Sequence, residues 1–233
     1  MKRIFFVFIA FLAALSCSKA ISVDDSEAGR IAGEVASFAF DDATKTYLKF
    51  DGSSLKFYWR ANDKLAVFGN KGKNQQIPLF VDSVAGDVIK TTAEFNISED
   101  YALMKNGIYV AYHPVINESI YLRSDNVPFD YEGQVQKAND VTSTDHLGDF
   151  DFMVSLQAEA TATNGAFFQF KHQCCPLWIH IDDVPAGKYK SVSVKAGSDI
   201  FVVKGIVDIF KVAEKVQKSV SEVSVSYENS VTV

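Results

Sequence analysis

From Val35 onward, apolar residues fall at alternate positions in short runs, and almost every run ends at Gly, Pro, Asn or Asp. A period of two sends successive side chains to opposite faces of an extended chain, so this pattern selects strands over helices. Leu55-Lys56-Phe57-Tyr58-Trp59 follows the turn cluster Asp51-Gly52-Ser53-Ser54. Lys64 to Phe68 is closed by Gly69-Asn70, and Ile77 to Val84 is another short apolar run. Asn106-Gly107 leads into Ile108-Tyr109-Val110-Ala111-Tyr112, which stops at His113-Pro114. Proline suits that stop, because it has no N–H to give to a ladder. Further strands are expected at Ala166–His172, Leu177–Ile181, Tyr189–Val194, Ile200–Val203 and Val223–Tyr227. With 48% hydrophobic and 13% aromatic residues the chain can bury a core and is not disordered. Many short strands between turn residues predict an all-β sandwich. Phe210–Val220 stays open, because Val212, Val216 and Val220 fall four apart and suit a short helix as well as a strand.

The N-terminus has a different logic. Lys2 and Arg3 precede Ile4–Leu15, a run with no charged or polar side chain. That run is short for a bilayer span and has the size of the apolar part of an export signal. It ends in Ala14-Leu15-Ser16-Cys17, which is similar to a bacterial lipobox. Residues 1–16 are therefore expected to be a lipoprotein signal peptide and Cys17 the lipidated residue. An ordinary signal peptide cut elsewhere is the alternative. More than one acyl chain on Cys17 would anchor the protein stably, since a single chain binds membranes only marginally. Residues 17–34, with Asp24, Asp25 and Glu27 close together, read as a flexible tether. The acidic cluster also resembles a surface-export signal of some Gram-negative anaerobes. Outer-membrane, cell-surface anchoring is the expected location. Loss of residues 1–16 removes Lys2 and Arg3 and takes the formal net charge from −6 to −8. Such an acidic chain is a poor partner for nucleic acid.

Residues 113–150 are poorer in strand pattern, and a domain boundary is expected near Leu147–Asp149. The division is then an N-terminal β-sandwich at 35–147 and a C-terminal one at 148–233. The second is short, and its end at Val231-Thr232-Val233 lies in mid-strand pattern, so it reads as truncated or incomplete.

No pattern assembles an active site. His113, His146, His172 and His180 lack zinc-ligand spacing and read as ordinary strand or loop histidines. Cys174 and Cys175 read as strand residues, and a vicinal disulfide between them would be strained. Asp145, Asp149 and Asp151 flank Gly148 without the EF-hand pattern and read as a solvated loop. Asp63, Glu94 and Glu132 are carboxylates of the type a glycosidase pairs, but nothing in the sequence pairs them. No cofactor, metal or catalytic residue is expected. Asp82-Ser83-Val84 matches a short O-glycosylation site of exported proteins in Gram-negative anaerobes, which makes Ser83 a candidate. Asn96-Ile97-Ser98 and Asn117-Glu118-Ser119 fit the eukaryotic sequon, which has no bearing on a bacterial lipoprotein.

Several segments in order resemble the fimbrillin-like family, lipoprotein subunits of fimbriae in Gram-negative anaerobes. They are Thr44-Lys45-Thr46, then Phe57-Tyr58-Trp59, then Asn62-Asp63-Lys64-Leu65-Ala66-Val67-Phe68. Tyr109-Val110-Ala111-Tyr112-His113-Pro114 resembles that family's tyrosine-rich strand, and Asp149-Phe150-Asp151-Phe152-Met153 the entry to its second domain. Phe168-Gln169-Phe170-Lys171-His172 resembles the strand after it. The resemblance implies two tandem sandwiches and a structural or adhesive role without catalysis. It also implies removal of an N-terminal strand by cleavage after arginine, and filling of the vacated groove by a strand of the next subunit. Arg30 and Arg60 are the early arginines. Arg30 lies in the tether, and Arg60 follows a predicted strand, which is a poor place for an exposed loop.

The leading expectation is a fimbrial subunit whose partners are other fimbrial subunits, outer-membrane lipid and host or bacterial surface ligands. Val223, Val225 and Tyr227 mark the candidate exchange strand. The alternative is a glycan-binding surface lipoprotein using Trp59, Trp178 or Tyr131, which would need those rings exposed. A hydrolase with a loop-built site is a third reading, and it lacks a catalytic constellation.

Overall fold

The computed structural model describes residues 4–10, 31–35, 47–50, 55–59, 63–69, 79–83, 92–97, 103–115, 122–136, 145–161, 165–181, 185–211 and 213–232. These form strands β1 (Ile4–Ala10), β2 (Ile31–Val35), β3 (Tyr47–Phe50), β4 (Leu55–Tyr58), β5 (Lys64–Gly69) and β6 (Leu79–Ser83). Next come β7 (Thr92–Ile97), β8 (Ile108–His113), β9 (Val127–Asp130), β10 (Val135–Gln136), β11 (Met153–Ser155) and β12 (Ala158–Glu159). The last are β13 (Ala166–His172), β14 (Cys175–Ile181), β15 (Lys188–Lys195), β16 (Phe201–Asp208), β17 (Ala213–Val220) and β18 (Glu222–Thr232). A 3-10 helix spans Asp145–Phe150.

The largest sheet runs β11-β13-β2-β7-β6-β5-β8-β12, and β11 also pairs with β8. That last pairing closes the strands into a ring. Closure leaves no open edge within the ring, which is the structural answer to the exposure of backbone N–H and C=O groups at a sheet margin. Alternation along each strand then sorts residues into inside and outside. Leu65, Val67, Tyr109, Ala111, Met153, Phe168 and Phe170 share one core with Phe95 and Trp59. Ala66, Phe68, Val110, Tyr112, Phe152 and Val154 occupy a second core on the opposite face. There they pack against Val127, Phe129, Tyr131, Val207 and Ile209, carried on and after β9 and β16. Both faces of β5 and β8 are thus dry, which is why these strands read as continuous apolar runs more than as clean alternations.

The fold is all-β with sandwich-type packing, as the sequence pattern predicts. Its division along the chain differs from the expected one. β11 and β13 lie beyond Leu147 yet belong to the ring with β8 and β2. β9 and β10 lie before Leu147 yet pair with β16 and β18 of the C-terminal region. The chain is interleaved around Leu147, so that residue lies between exchanged strands and not at a seam. The cause is visible in β9. Val127-Pro128-Phe129-Asp130 is short and holds a proline, which confines it to an edge and weakens its local signal.

Two other expectations change. Ile31–Glu34, read as the end of a tether, are in β2, held between β13 and β7. Phe210–Val220 resolves to strand from Ala213 onward. Irregularities in the β16–β17 register, between Val202 and Lys204 and between Ile206 and Val207, bring Val216 opposite Ile206 and Val220 opposite Phe201. A bulge inserts a residue and so disguises a period of two.

Candidate assembly interface

Among the strands near the N-terminus, β2 has a partner on each side. β2 runs parallel to β13 and antiparallel to β7. A parallel neighbour cannot come from a hairpin, so β2 is brought to its place by a distant part of the chain. Ile31, Gly33 and Val35 stand in register with Ala166, Phe168 and Phe170, the positions whose side chains fill the ring interior. β2 is therefore a stave. Without it, the facing ladders of β13 and β7 would lose their partners and the ring would open.

The candidate maturation residues flank this stave. Arg30 immediately precedes β2, so cleavage there leaves the stave in place. Arg60 comes after β4, so cleavage there removes β2, β3 and β4. Arg30, Arg60 and Cys17 themselves lie outside the described residues. Next to Arg60, Trp59 is 2% exposed and belongs to the ring core. Its indole stands edge-on to Phe95, His113 and Phe170, with centroids 5.1, 5.2 and 5.6 Å away. A cut at Arg60 would free a segment whose last aromatic ring is a core anchor.

β18, which carries Val223, Val225 and Tyr227, is the central strand of the sheet β10-β18-β15. It is antiparallel to β15 and parallel to β10. Val225 is buried and Val223 half-buried. Donation of this strand to another subunit would break both ladders. Ser83 ends β6, opposite the buried Phe95 of β7.

The other sequence candidates sort as follows. Trp59 and Tyr131 are core residues, so neither presents a ring face for a sugar; the side chain of Trp178, on β14, lies outside the described residues. Glu94 is exposed on β7, while Glu132 pairs with Lys218 in the C-terminal region. Asp149 is exposed at the 3-10 helix. Asp151, expected in a solvated loop, is buried. Cys174 is a buried free thiol in the bend after β13, not a strand residue.

Sequence reasoning did not foresee that Asp151, His172 and Cys174 meet. His172 Nδ1–H donates to Asp151 Oδ1 at 2.6 Å, and the Cys174 thiol donates to the same oxygen at 3.3 Å. The Asp151 and His172 side chains are 1% and 2% exposed. An aspartate between Phe150 and Phe152 was the available clue, because a carboxylate set among rings needs a partner. The arrangement is not that of a nucleophile relay, in which the histidine sits between nucleophile and carboxylate. Here Asp151 is the hub, and burial followed by the Asp151 charge pushes the Cys174 thiol up, towards its protonated, unreactive form. The cluster ties the end of β13 to the segment entering β11. His113 forms a second buried polar contact, its Nδ1–H donating to the Lys64 carbonyl at 2.8 Å. Among the described residues, no group of three or more His, Cys, Asp or Glu side chains is placed to hold a metal ion. No protein-family model, curated protein or solved structure matches this chain.

Proposed function

We propose that this chain is a lipid-anchored surface protein of fimbrillin-like type, a structural or adhesive fimbrial subunit that assembles by β-strand addition. The reading is supported chiefly by β2. It is a short stave near the N-terminus, lies between Arg30 and Arg60, and runs parallel to β13 inside an otherwise closed ring. Loss of such a stave exposes two ladders and a row of core positions at once. An incoming strand would satisfy the ladders with its backbone and fill the Ile31, Gly33 and Val35 positions with alternate side chains. Acylated Cys17 supplies the outer-membrane anchor before any such cleavage. The residue pattern of the N-terminus and the order of the resembling segments carry the rest of the reading.

The test is made on protein recovered from cell envelopes. Intact mass should give either a species from acylated Cys17 to Val233, a standing anchor or adhesin, or a lipid-free species beginning after an arginine, a matured pilin. The same fraction should run as a high-mass ladder that collapses on boiling. A lipid-free, strictly monomeric protein that begins upstream of Arg30 would overturn the proposal.

A further inference from the structure

β14 stands apart from the ring. Among the described residues it pairs with β1 alone, in a two-stranded sheet. All seven residues of β1 take part, antiparallel, from Ile4 opposite Ile181 to Ala10 opposite Cys175, with Val7 opposite Trp178 at the centre. β1 is the apolar part of the export signal. Cleavage before Cys17, the processing proposed above on which this inference rests, removes every one of these partners.

The strand left behind is Cys175-Pro176-Leu177-Trp178-Ile179-His180-Ile181. It contains no Lys, Arg, Asp or Glu. Two other sheet margins among the described residues are guarded by lysines. β15 ends one sheet with Lys188, Lys190 and Lys195 exposed, and β17 ends another with Glu214, Lys215 and Lys218 in its sequence. Lysines on an edge are a common device against unwanted pairing. β14 lacks the device, and the leader strand seated on it shows what the edge accepts: an antiparallel, uncharged strand of seven residues.

We propose that in the processed chain β14 pairs with β14 of a second copy, antiparallel about a two-fold axis near Trp178. β14 is itself a seven-residue uncharged strand, and an antiparallel strand is complementary to its own copy. One symmetric contact then satisfies both edges. Central strands such as β18 and β2 would have to leave existing ladders to serve, β18 those of β15 and β10, β2 those of β13 and β7. In the footprint of β1, Cys175 faces Ile181 of the copy and Leu177 faces Ile179. Residues 175, 177, 179 and 181 of both copies then share one face of the ribbon. This contact is separate from the β2 stave and does not require cleavage at an arginine.

The experiment uses the chain from residue 17 to Val233 with Cys17→Ser, which carries no lipid. Light scattering should give twice the chain mass, and Ile179→Lys should return it to once with an unchanged far-ultraviolet spectrum. Trp178→Cys, combined with Cys175→Ser, should cross-link through a disulfide on mild oxidation. That reading decides the matter if Ile179→Lys does not fold. The unprocessed chain with Cys17→Ala, in detergent, should be monomeric. A monomeric processed chain, or a dimer with no Trp178→Cys cross-link, would overturn the β14 contact while leaving lipidation intact. Envelope protein that retains residues 1–16 would instead overturn the processing on which the contact rests.

Discussion

Asp151→Ala is the sharpest test of how the ring is held to the segment that completes it. The carboxylate accepts from His172 Nδ1 at 2.6 Å and from the Cys174 thiol at 3.3 Å, with the Asp151 and His172 side chains almost sealed from water. A hydrogen bond to a charged group contributes about 1.5–3 kcal/mol net, and stranding a buried donor costs about 1–3 kcal/mol more. Together these put the loss for Asp151→Ala at about 3–5 kcal/mol. At a urea slope of about 2 kcal/mol per molar, the unfolding midpoint should fall by about 1.5–2.5 M. The measurement is urea unfolding of the unlipidated chain, followed by circular dichroism, for wild type, Asp151→Ala, His172→Ala and the double variant. The double variant should cost less than the sum of the singles by about 1.5–3 kcal/mol, because either substitution already breaks the bond. A cost for Asp151→Ala below about 1 kcal/mol, or additivity within about 0.5 kcal/mol, would refute the claim that the pair is a buried tie.

Three further outcomes follow from single contacts. Ser155 Oγ accepts the Ala111 N–H at 2.8 Å, at the interval on β8 between its pairings with β11 and β12. Ser155→Ala should cost about 1–3 kcal/mol and deprotect the Ala111 amide in hydrogen exchange; an unchanged exchange rate would refute it. A Cβ on Gly107 would lie 2.6 Å from Tyr109 Cε2 and 2.9 Å from the Met104 carbonyl, while the Tyr109 hydroxyl is pinned by the Met104 N–H at 2.8 Å. Gly107→Ala should therefore lose about 1–3 kcal/mol in the same unfolding assay, and a neutral result would show that the ring can move. Burial pulls the His113 imidazole below the ordinary histidine value of 6.5, outweighing the opposing charge of Asp63. The unfolded chain then takes up this proton first, so stability should decline as pH falls through 6.5 and stop declining from this source below the depressed folded value. His113→Gln should flatten that slope, and parallel curves for the two proteins would exclude His113 as its source.

The strands that were legible are those whose pattern is local. Tyr109-Val110-Ala111-Tyr112 announces β8 as a dense run of β-formers that stops at a proline, and Ala166–His172 announces β13 because it alternates after a glycine. β2 was illegible for a physical reason. Ile31-Ala32-Gly33-Glu34-Val35 has weak propensity, with a glycine at its middle, and exists as a strand only because β13 and β7 flank it. The expected boundary at Leu147 misjudged the topology for a related reason. A composition change records where strand signals weaken, and they weaken at β9 and β10 because those strands are short edges. It carries no information on which sheet receives them. The aromatic platform suggested for sugars had the same weakness. Trp59 and Tyr131 have the right chemistry, but whether a ring is a platform or an anchor depends on residues distant in sequence, Phe95 and Phe170 for Trp59 and the core cluster that includes Val207 and Ile209 for Tyr131.

In the assembly proposed above, the two strands nearest the N-terminus would act in different ways, and the difference lies in what each leaves behind. Removal of β2 would open a slot with a ladder on either side, in register with the core residues Ala166, Phe168 and Phe170 of β13, so its replacement would have to satisfy two neighbours at once. Removal of β1 leaves one strand, β14, outside the ring, with a ladder to satisfy and no charged residue to discourage a partner. A slot of the first kind selects one sequence in one direction and favours head-to-tail growth. An edge of the second kind is self-complementary and closes after two copies. A chain carrying both would therefore be able to extend along one axis through the slot and to associate sideways through the edge. Abolishing the β14 contact with Ile179→Lys should then leave the boiling-sensitive ladder intact while thinning any lateral bundles of it. Loss of the ladder in a folded Ile179→Lys chain would mean that the two contacts are not independent.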